Sequence, residues 1–231
     1  MVETPEGRRL ICHPRGKKSQ VVVGDQVLWL IGASGQSDEG TIEQVLPRRN
    51  LFYRQDELRT KSFAANVDQV LILLGAEPEF SENQLSRALI TAEATGIAPL
   101  VALNKQDLTE PFGRAWERLL AYRRMGYTLF ALSLRQGDPT TLDTLTTHLQ
   151  GKSTLVLGPS GAGKSTLINQ LVPDARALTN EISQALNSGK HTTTSTRWYW
   201  VESATAPGRT ALIDSPGFQE FGLHHIDPAQ L

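Results

Sequence analysis

Eight consecutive residues, Gly158 to Ser165, satisfy the phosphate-loop pattern of Gly, four residues, Gly, Lys and Ser. Glycines let successive backbone N–H groups turn toward an anion, and the N-terminus of the following helix adds its positive dipole end. Lys164 provides a point charge for the β and γ oxygens, and the Ser165 hydroxyl suits Mg²⁺. A glycine-rich turn with a solvated lysine is the alternative. The predicted nucleotide-binding positions here are Gly158, Pro159, Ser160, Gly161, Ala162, Gly163, Lys164, Ser165 and Thr166.

A second set of residues favours guanine over adenine. Asn104, Lys105, Gln106 and Asp107 follow a predicted strand. A carboxylate accepts two parallel hydrogen bonds from the N1–H and N2–H₂ edge of guanine, and adenine offers no such pair of donors. We therefore expect Asp107 to read the base, Lys105 to lay its stem along it, and Asn104 to hold the loop. A surface turn is the alternative interpretation of the same tetrad.

A third set follows the predicted strand Thr210 to Ile213. Asp214 is expected to hold Mg²⁺ through water, and the Gly217 N–H is expected to contact a γ-phosphate. Because an Asp-x-x-Gly string is common by chance, its assignment to the nucleotide site depends on its position after a strand. Between the phosphate loop and Asp214 lies a polar, hydroxyl-rich segment, 189–194, which suits a switch loop. Within it Thr193 is the expected Mg²⁺ ligand.

The order of these motifs indicates a circular permutation. Ras-like GTPases read phosphate loop, switch threonine, Asp-x-x-Gly and then Asn-Lys-x-Asp, whereas this chain has Asn-Lys-Gln-Asp first. Permutation keeps the three-dimensional site but moves the chain ends to the second switch. A nucleotide-dependent switch would then pull directly on a C-terminal partner or domain.

Two types of region are expected to position these residues. Up to about residue 60, short apolar bursts at 21–23, 27–31, 42–46 and 51–53 are punctuated by turn residues and predict a small β-barrel or sandwich. Beyond residue 66, apolar runs alternate with helical periods and predict a parallel sheet covered by helices. The expected domains are 1–62 and 63–231. The predicted strands are 67–74, 99–103, 127–132, 154–157, 197–201 and 210–213, with helices beginning after Ser81, at Asp138 to Pro139, and after the phosphate loop.

Composition sets the remaining bounds. The chain has 231 residues, a formal charge of -1 and one cysteine, so no global basic field, internal disulfide or multi-cysteine zinc cage is expected. Its first residues are acidic and do not resemble a signal peptide, and its longest apolar run falls far short of the ~20 residues that span a bilayer. We expect a cytoplasmic protein without a membrane partner, and a monomer by default.

The permuted motif order, with the stretches Arg48-Arg49-Asn50 and Ala65-Asn66-Val67-Asp68, resembles the RsgA (YjeQ) family of circularly permuted GTPases. The resemblance implies GTP hydrolysis coupled to late maturation of the small ribosomal subunit. It also implies an N-terminal OB-fold that contacts ribosomal RNA through basic and aromatic side chains. Barrel core and a solvated rim are the alternative roles for these side chains. The candidate RNA-binding residues are Arg15, Lys17, Arg48, Arg49 and Arg54, with Trp29, Phe52 and Tyr53 as candidate stacking aromatics.

The resemblance also indicates how water would be positioned. Phe218 stands where Ras-like enzymes have a water-orienting glutamine, and the family points to His191, with Gln219 as its rival. Ser133 belongs to the family's guanine-capping turn, where a backbone N–H is expected to meet O6, although Leu132 precedes it in place of a small residue. The family's C-terminal zinc domain has no counterpart here, so no zinc site is predicted. The alternatives are an ATP-using P-loop enzyme, and an RNA-binding module that senses GTP with little turnover.

Overall fold

The computed structural model describes residues 1–15, 21–31, 39–55, 60–136, 139–173, 175, 196–201, 208–217, 222–223 and 226. Its elements, in chain order, are β1 Val2–Glu3, β2 Arg9–Pro14, β3 Val27–Ile31, β4 Glu39–Val45, β5 Leu51–Gln55, β6 Thr60–Ala65, β7 Gln69–Gly75, α1 Glu82–Ala94, β8 Ala98–Asn104, α2 Thr109–Arg124, β9 Thr128–Ala131, α3 Pro139–Leu149, β10 Ser153–Leu157, α4 Lys164–Leu171, β11 Arg197–Val201 and β12 Thr210–Asp214. An α/β unit with a six-stranded sheet follows a smaller β region.

The six-stranded sheet has the order β11-β12-β10-β7-β8-β9. Strand β11 is antiparallel to β12, and the other neighbours are parallel. Every residue of β7, β10 and β12 is buried. Parallel strands covered on both faces read as continuous apolar runs, which is why the sequence indicates them clearly. The predicted parallel sheet covered by helices is therefore confirmed.

Two apolar layers cover the sheet. On one face, residues of α1 and α2 such as Leu85 and Leu119 pack with Ile72 of β7. On the other, residues of α3 and α4 such as Leu145 pack with Leu71. Adjacent β7 residues thus enter opposite layers, as the two-residue period of a strand requires. Helices on both faces leave the carboxyl ends of the parallel strands as the place for a ligand.

The helix boundaries follow local rules in most places. The Ser81 hydroxyl accepts a hydrogen bond from the Gln84 N–H at 3.3 Å, and Gly96 with φ +66° follows the end of α1. The predicted start and stop of this helix are therefore confirmed. Helix α3 begins at Pro139, while the expected cap Asp138 lies outside the described residues. Helix α2 was not predicted from the sequence patterns.

The N-terminal region consists of two small sheets. A four-stranded sheet has the order β1-β2-β4-β3, and the hairpin β5–β6 forms a separate two-stranded sheet. Together they make a curled half-barrel, which agrees with the predicted all-β N-terminal region. The burst at 21–23 lies in an irregular segment with a turn, and the strand β2 was not anticipated. The hairpin strand β6 continues to Ala65.

A polar joint connects the half-barrel to the α/β unit. Asn66, in a left-handed conformation with φ +57°, donates through its amide to the Gly24 carbonyl and accepts from the Arg49 N–H. Asp68 forms an ion pair with Arg49 at 2.7 Å and accepts from the Ser153 N–H and hydroxyl. Since Ser153 begins β10, the joint holds the half-barrel against the strand that leads to the phosphate loop.

Candidate functional site: a guanine-nucleotide pocket

The phosphate loop follows β10 and leads into α4, as predicted. Gly163 has φ +107°, and a Cβ there would lie 2.4 Å from the Asn104 side-chain nitrogen. A Cβ on Gly158 would lie 2.2 Å from the Leu73 carbonyl oxygen. Both positions therefore require glycine. Gly158 lies against the backbone of β7, and Gly163 lies against the predicted base-binding loop. Ser165 and Thr166 are exposed in the first turn of α4.

Lys164 points back across the phosphate loop. Its ammonium donates to the carbonyl oxygens of Gly158 at 2.7 Å and Pro159 at 2.9 Å. Burial lowers the pKa of Lys164, and the negative charge of Asp214 opposes that shift. The ammonium is thus held inside the loop.

Asn104 joins the base-binding loop to the phosphate loop. It is buried at the end of β8, and its amide nitrogen donates to the Ala162 carbonyl oxygen at 2.9 Å. Its amide oxygen accepts from the Leu134 N–H at 3.1 Å. On the other side of this turn, Gln170 of α4 donates to the Leu134 carbonyl oxygen at 2.7 Å. Three segments that a nucleotide would touch are therefore held together by side-chain hydrogen bonds.

The other members of the tetrad are the residues predicted to read the base. Lys105 has φ +72°, and its ammonium donates to the Glu77 carbonyl oxygen in the loop after β7. A carboxylate oxygen of Asp107 accepts from the Ser133 hydroxyl at 3.1 Å. That contact fixes one end of the carboxylate. The Gln106 N–H donates to the Leu132 carbonyl at 3.0 Å, which holds the loop against the chain after β9.

Leu132 itself is a core residue. Its side chain is fully buried, and its N–H donates to the Leu103 carbonyl at 2.8 Å. A larger side chain before Ser133 is therefore accommodated in the interior, away from the base-reading edge.

Asp214 ends β12 as a buried carboxylate. Burial raises its pKa, whereas the charges of Lys164 and Arg197 and the Ser215 N–H oppose the rise. Arg197 is its direct partner across the antiparallel β11–β12 pair, so both side chains lie on the same face of the sheet. The Ser215 hydroxyl donates to the Val156 carbonyl at 2.7 Å, which fixes the start of the segment leading to Gly217.

The donor set at this edge fits a magnesium ion. Mg²⁺ takes hard oxygen ligands, keeps several waters and binds through one or two protein groups plus phosphate. Ser165 and Asp214 supply a hydroxyl and a carboxylate at the ends of neighbouring strand–loop connections. In the part of the chain that the structure describes, no cluster of three or more His, Cys, Asp or Glu side chains offers a competing metal site. Thr193, the predicted third donor, lies outside the described residues.

Comparison with known proteins supports the same assignment. A sequence model described as RsgA GTPase matches residues 45–224. The chain is 69% identical over 231 residues to a Variovorax paradoxus protein named small ribosomal subunit biogenesis GTPase RsgA, covering all of this chain and 70% of that protein. This chain belongs to the RsgA GTPase family. A Paraburkholderia phytofirmans protein of the same name is 51% identical over 225 residues, covering 97% of this chain and 70% of that protein.

Solved structures agree on the fold. The crystal structure of YjeQ from Thermotoga maritima superposes with a TM-score of 0.67 at 28% identity, covering 98% of this chain and 73% of that one. YloQ, described as a circularly permuted GTPase, gives a TM-score of 0.59 at 24% identity, covering 96% of this chain and 67% of that one. The predicted permutation of an α/β GTPase is thereby confirmed for this RsgA-family chain.

The candidate RNA-binding arginines of this RsgA-family chain have intramolecular partners. Arg48 makes an ion pair at 2.7 Å with Asp25, whose side chain is only 1% exposed. Arg49 pairs with Asp68 in the joint, and Arg15 pairs with a glutamate of β4 while its side chain stays 74% exposed. Of the candidate aromatics, Phe52 is fully buried, as a core residue of the half-barrel would be, whereas Trp29 and Tyr53 are partly exposed. Arg54 lies in β5, and Lys17 is outside the described residues.

Two residues at the site were missed by sequence reasoning. Arg197 begins a predicted strand, but its approach to Asp214 depends on which strands are neighbours, which spacing does not reveal. Glu77 contributes only a backbone carbonyl, so its side-chain type carries no signal. The predicted water-positioning residue His191 and its rival Gln219 lie outside the described residues, as does Phe218.

No helix among the described residues is long and apolar enough to cross a membrane.

Proposed function

We propose that this chain hydrolyses GTP to GDP and phosphate in a Mg²⁺-dependent reaction, and that hydrolysis accompanies late maturation of the small ribosomal subunit. The observation that carries the proposal is the contact of Ser133 with Asp107 beside a phosphate loop tied to Asn104. A carboxylate fixed at that position discriminates guanine from adenine. An ATP-using enzyme would leave the same carboxylate without its donors.

The chemistry is mostly positioning and charge neutralisation, because phosphoryl transfer proceeds through a loose transition state. Lys164 supplies charge to the β and γ oxygens, and the N–H of Gly217 meets the γ-phosphate. Ser165, Thr193 and, through a water, Asp214 would hold Mg²⁺, which when bound would offset negative charge on the phosphate oxygens. His191, by family resemblance, positions the attacking water as a neutral imidazole.

The ribosomal part of the proposal comes from the relatives. The matched proteins are named for biogenesis of the small ribosomal subunit, and the resemblance assigns rRNA contact to the N-terminal half-barrel. In this chain Arg15 is the best placed of the candidate arginines, because its side chain remains largely exposed. Arg48 pairs with Asp25 within the half-barrel, and Arg49 pairs with Asp68 at the joint to the α/β unit. We therefore propose that these two arginines support RNA binding mainly by stabilising the half-barrel, and less by direct contact with RNA. The domain limits, the cytoplasmic location and the monomeric state remain predictions.

The proposal is tested by phosphate release from GTP, measured for the purified chain alone and with vacant small ribosomal subunits. Large subunits and ATP serve as controls. We expect slow turnover alone and a large rise with small subunits only. An unchanged rate with intact GTP binding would contradict the ribosomal coupling and favour a GTP-sensing RNA-binding module.

Two variants separate the parts of the mechanism. Asp107→Asn exchanges one acceptor for an amide donor, so it should weaken GTP and favour XTP, whose base carries a carbonyl where guanine has its amino group. His191→Ala should keep GTP binding and lower turnover. Unchanged turnover would remove His191 from the mechanism, and unchanged base preference in Asp107→Asn would overturn the guanine assignment.

A further inference from the structure

A side chain of α4 holds the turn 132–136 that follows β9, which is called the capping turn below. The Gln170 side-chain amide donates to the Leu134 carbonyl oxygen at 2.7 Å, although Gln170 itself is exposed. Helix α4 begins at Lys164, inside the phosphate loop. Gln170 therefore links the helix that carries the phosphate-binding lysine to the capping turn.

Leu134 is fixed in the capping turn at three points. Its carbonyl accepts from Gln170, and its N–H donates to the Asn104 amide oxygen at 3.1 Å. Its side chain is buried in the apolar layer that contains residues of α4. A Cβ on Gly163 would lie 3.4 Å from the Leu134 side chain, so the turn also touches the phosphate loop. The backbone of the turn is thus positioned by the protein itself.

Two N–H groups of the capping turn, those of Ser133 and Arg135, have no acceptor among the described residues. Each lies on a peptide unit whose carbonyl is engaged. The Leu132 carbonyl accepts from an N–H of the tetrad at 3.0 Å, and the Leu134 carbonyl accepts from Gln170. A trans peptide is planar, so its N–H points opposite to its carbonyl. The bond from Gln170 therefore turns the Arg135 N–H away from α4 and leaves it able to donate.

Guanine O6 is the acceptor that suits such a donor. Asp107, held by the Ser133 hydroxyl, is expected to accept from the N1–H and the 2-amino group of the base. On the guanine ring O6 is bonded to the carbon next to N1, so a base read by Asp107 brings its O6 toward the same turn. Adenine carries an amino donor in that place, which an N–H group cannot satisfy. A backbone N–H aimed at O6 thus rejects adenine independently of Asp107.

We propose that Gln170 is a positioning residue for base recognition: by holding the Leu134 carbonyl, it aims the Arg135 N–H at guanine O6. Gln170 acts through the capping turn and does not itself contact the base. The Arg135 side chain has no part in this role, because the donor belongs to the backbone. The inference rests on the proposed binding of guanine nucleotides at the phosphate loop, and it adds a second determinant of base choice to Asp107.

Nucleotide analogues separate O6 from the rest of the base. 6-Thio-GDP keeps the N1–H and the 2-amino group and has sulfur, a weaker acceptor, in place of O6. IDP keeps O6 and lacks the 2-amino group. We would measure the affinities of GDP, 6-thio-GDP and IDP by competition with a fluorescent nucleotide near neutral pH.

Two variants remove the donor of the capping turn. Gln170→Ala deletes the amide, and Gln170→Glu keeps the size of the side chain but has no N–H to donate at neutral pH. In both variants we expect the ratio of GDP to 6-thio-GDP affinity to fall about three- to tenfold, as the loss of one neutral hydrogen bond predicts. The ratio of GDP to IDP affinity should stay unchanged, because both nucleotides carry O6.

The matched control is Asn169→Ala, which removes the preceding amide side chain of α4, one that makes no hydrogen bond within the described part of the chain. Both ratios should stay at the parent values. An unchanged ratio of GDP to 6-thio-GDP in the two Gln170 variants overturns the inference, as does a parent that binds both nucleotides equally. An equal fall of both ratios, or a fall in the control, overturns it as well. In all these cases the proposed function stands, whereas failure of the parent to bind any guanine nucleotide overturns both.

Amide hydrogen exchange tests the donor itself. Individual amides are followed by NMR in the chain saturated with GDP and with 6-thio-GDP. The Arg135 amide should exchange several-fold more slowly with GDP, while the Leu134 amide, which is bonded to Asn104, should exchange equally with both. Protection of the Ser133 amide in place of Arg135, or equal exchange of Arg135 with the two nucleotides, overturns the inference.

Discussion

The contact between Ser133 and Asp107 makes a quantitative prediction about guanine recognition. Ser133→Ala removes a hydroxyl that donates to the carboxylate at 3.1 Å and introduces no new group. A hydrogen bond to a charged acceptor contributes about 1.5–3 kcal/mol, and the pair is only partly buried, so water replaces some of it. We therefore expect a loss of about 1–2 kcal/mol in guanine-nucleotide binding, which corresponds to roughly a 5–30-fold weaker GDP affinity.

The base specificity should change together with the affinity. IDP lacks the N2 amino group of guanine, so the ratio of GDP to IDP affinity reports the second hydrogen bond accepted by Asp107. A carboxylate that has lost its Ser133 donor is less well oriented, and we expect this ratio to fall several-fold in titrations with fluorescent nucleotide competitors. The matched control is Ser86→Ala, which removes a hydroxyl bonded to Tyr122 on the helical layer. An unchanged GDP affinity in Ser133→Ala would refute the role of this contact, and an equal loss in the control would show a general effect on folding.

Three further variants test the joint and the loop by independent measurements. Gly163→Ala, where a Cβ would lie 2.4 Å from a side-chain nitrogen, should abolish tight nucleotide binding in titrations, whereas Gly113→Ala in open space on α2 should not. Asp68 has its pKa held below the ordinary value because, although burial raises it, the bonds from Ser153 and Arg49 outweigh burial. Its stabilisation is present above the unfolded pKa and lost as pH falls through the folded one. Asp68→Asn should thus lower the free energy of unfolding by about 1 kcal/mol in urea titrations at pH 7, and the difference from the parent should shrink below about pH 4. Arg48→Ala leaves the buried Asp25 carboxylate without its cation and should lower the free energy of unfolding by about 2–4 kcal/mol. Adding Asp25→Ala should recover part of this loss. Equal stability of the single variant and the parent in urea titrations would contradict the role of this ion pair.

The parts of the site that the sequence predicted are those encoded by adjacent residues. The phosphate loop and the Asn104 tetrad each require fixed types within a few positions, because backbone N–H groups and a carboxylate must converge on one ligand. Strand β7 was evident for a similar reason, since a strand buried on both faces has no room for polar residues. Local rules also placed the start of α1 at Ser81, where a single hydroxyl satisfies a backbone donor.

Elements that depend on long-range pairing were harder to predict. Strand β2 carries arginine, histidine and proline and forms because it pairs with β1 and β4, whereas the β-branched run at 21–23 lies in an irregular segment beside a turn. Helix α2 contains Pro111 and Gly113, two residue types that argue against a helix in a sequence-based prediction. Pro111 lies in the first turn, where its missing N–H has no intrahelical acceptor to lose.

The arginines of the half-barrel have partners that no local sequence pattern indicates. Arg48 and Arg49 are neighbours in sequence and suggest a cationic patch, yet each faces a carboxylate from a different segment, Asp25 or Asp68. These acids lie far from the arginines in sequence, so no local pattern announces the pairing. The joint that they form meets Ser153 at the start of β10, while Leu223 meets β5 on the chain that follows Gly217. The half-barrel is thus attached at two places, one formed by the Arg49–Asp68 ion pair and its bonds to Ser153, the other by the Gln55–Leu223 bridge.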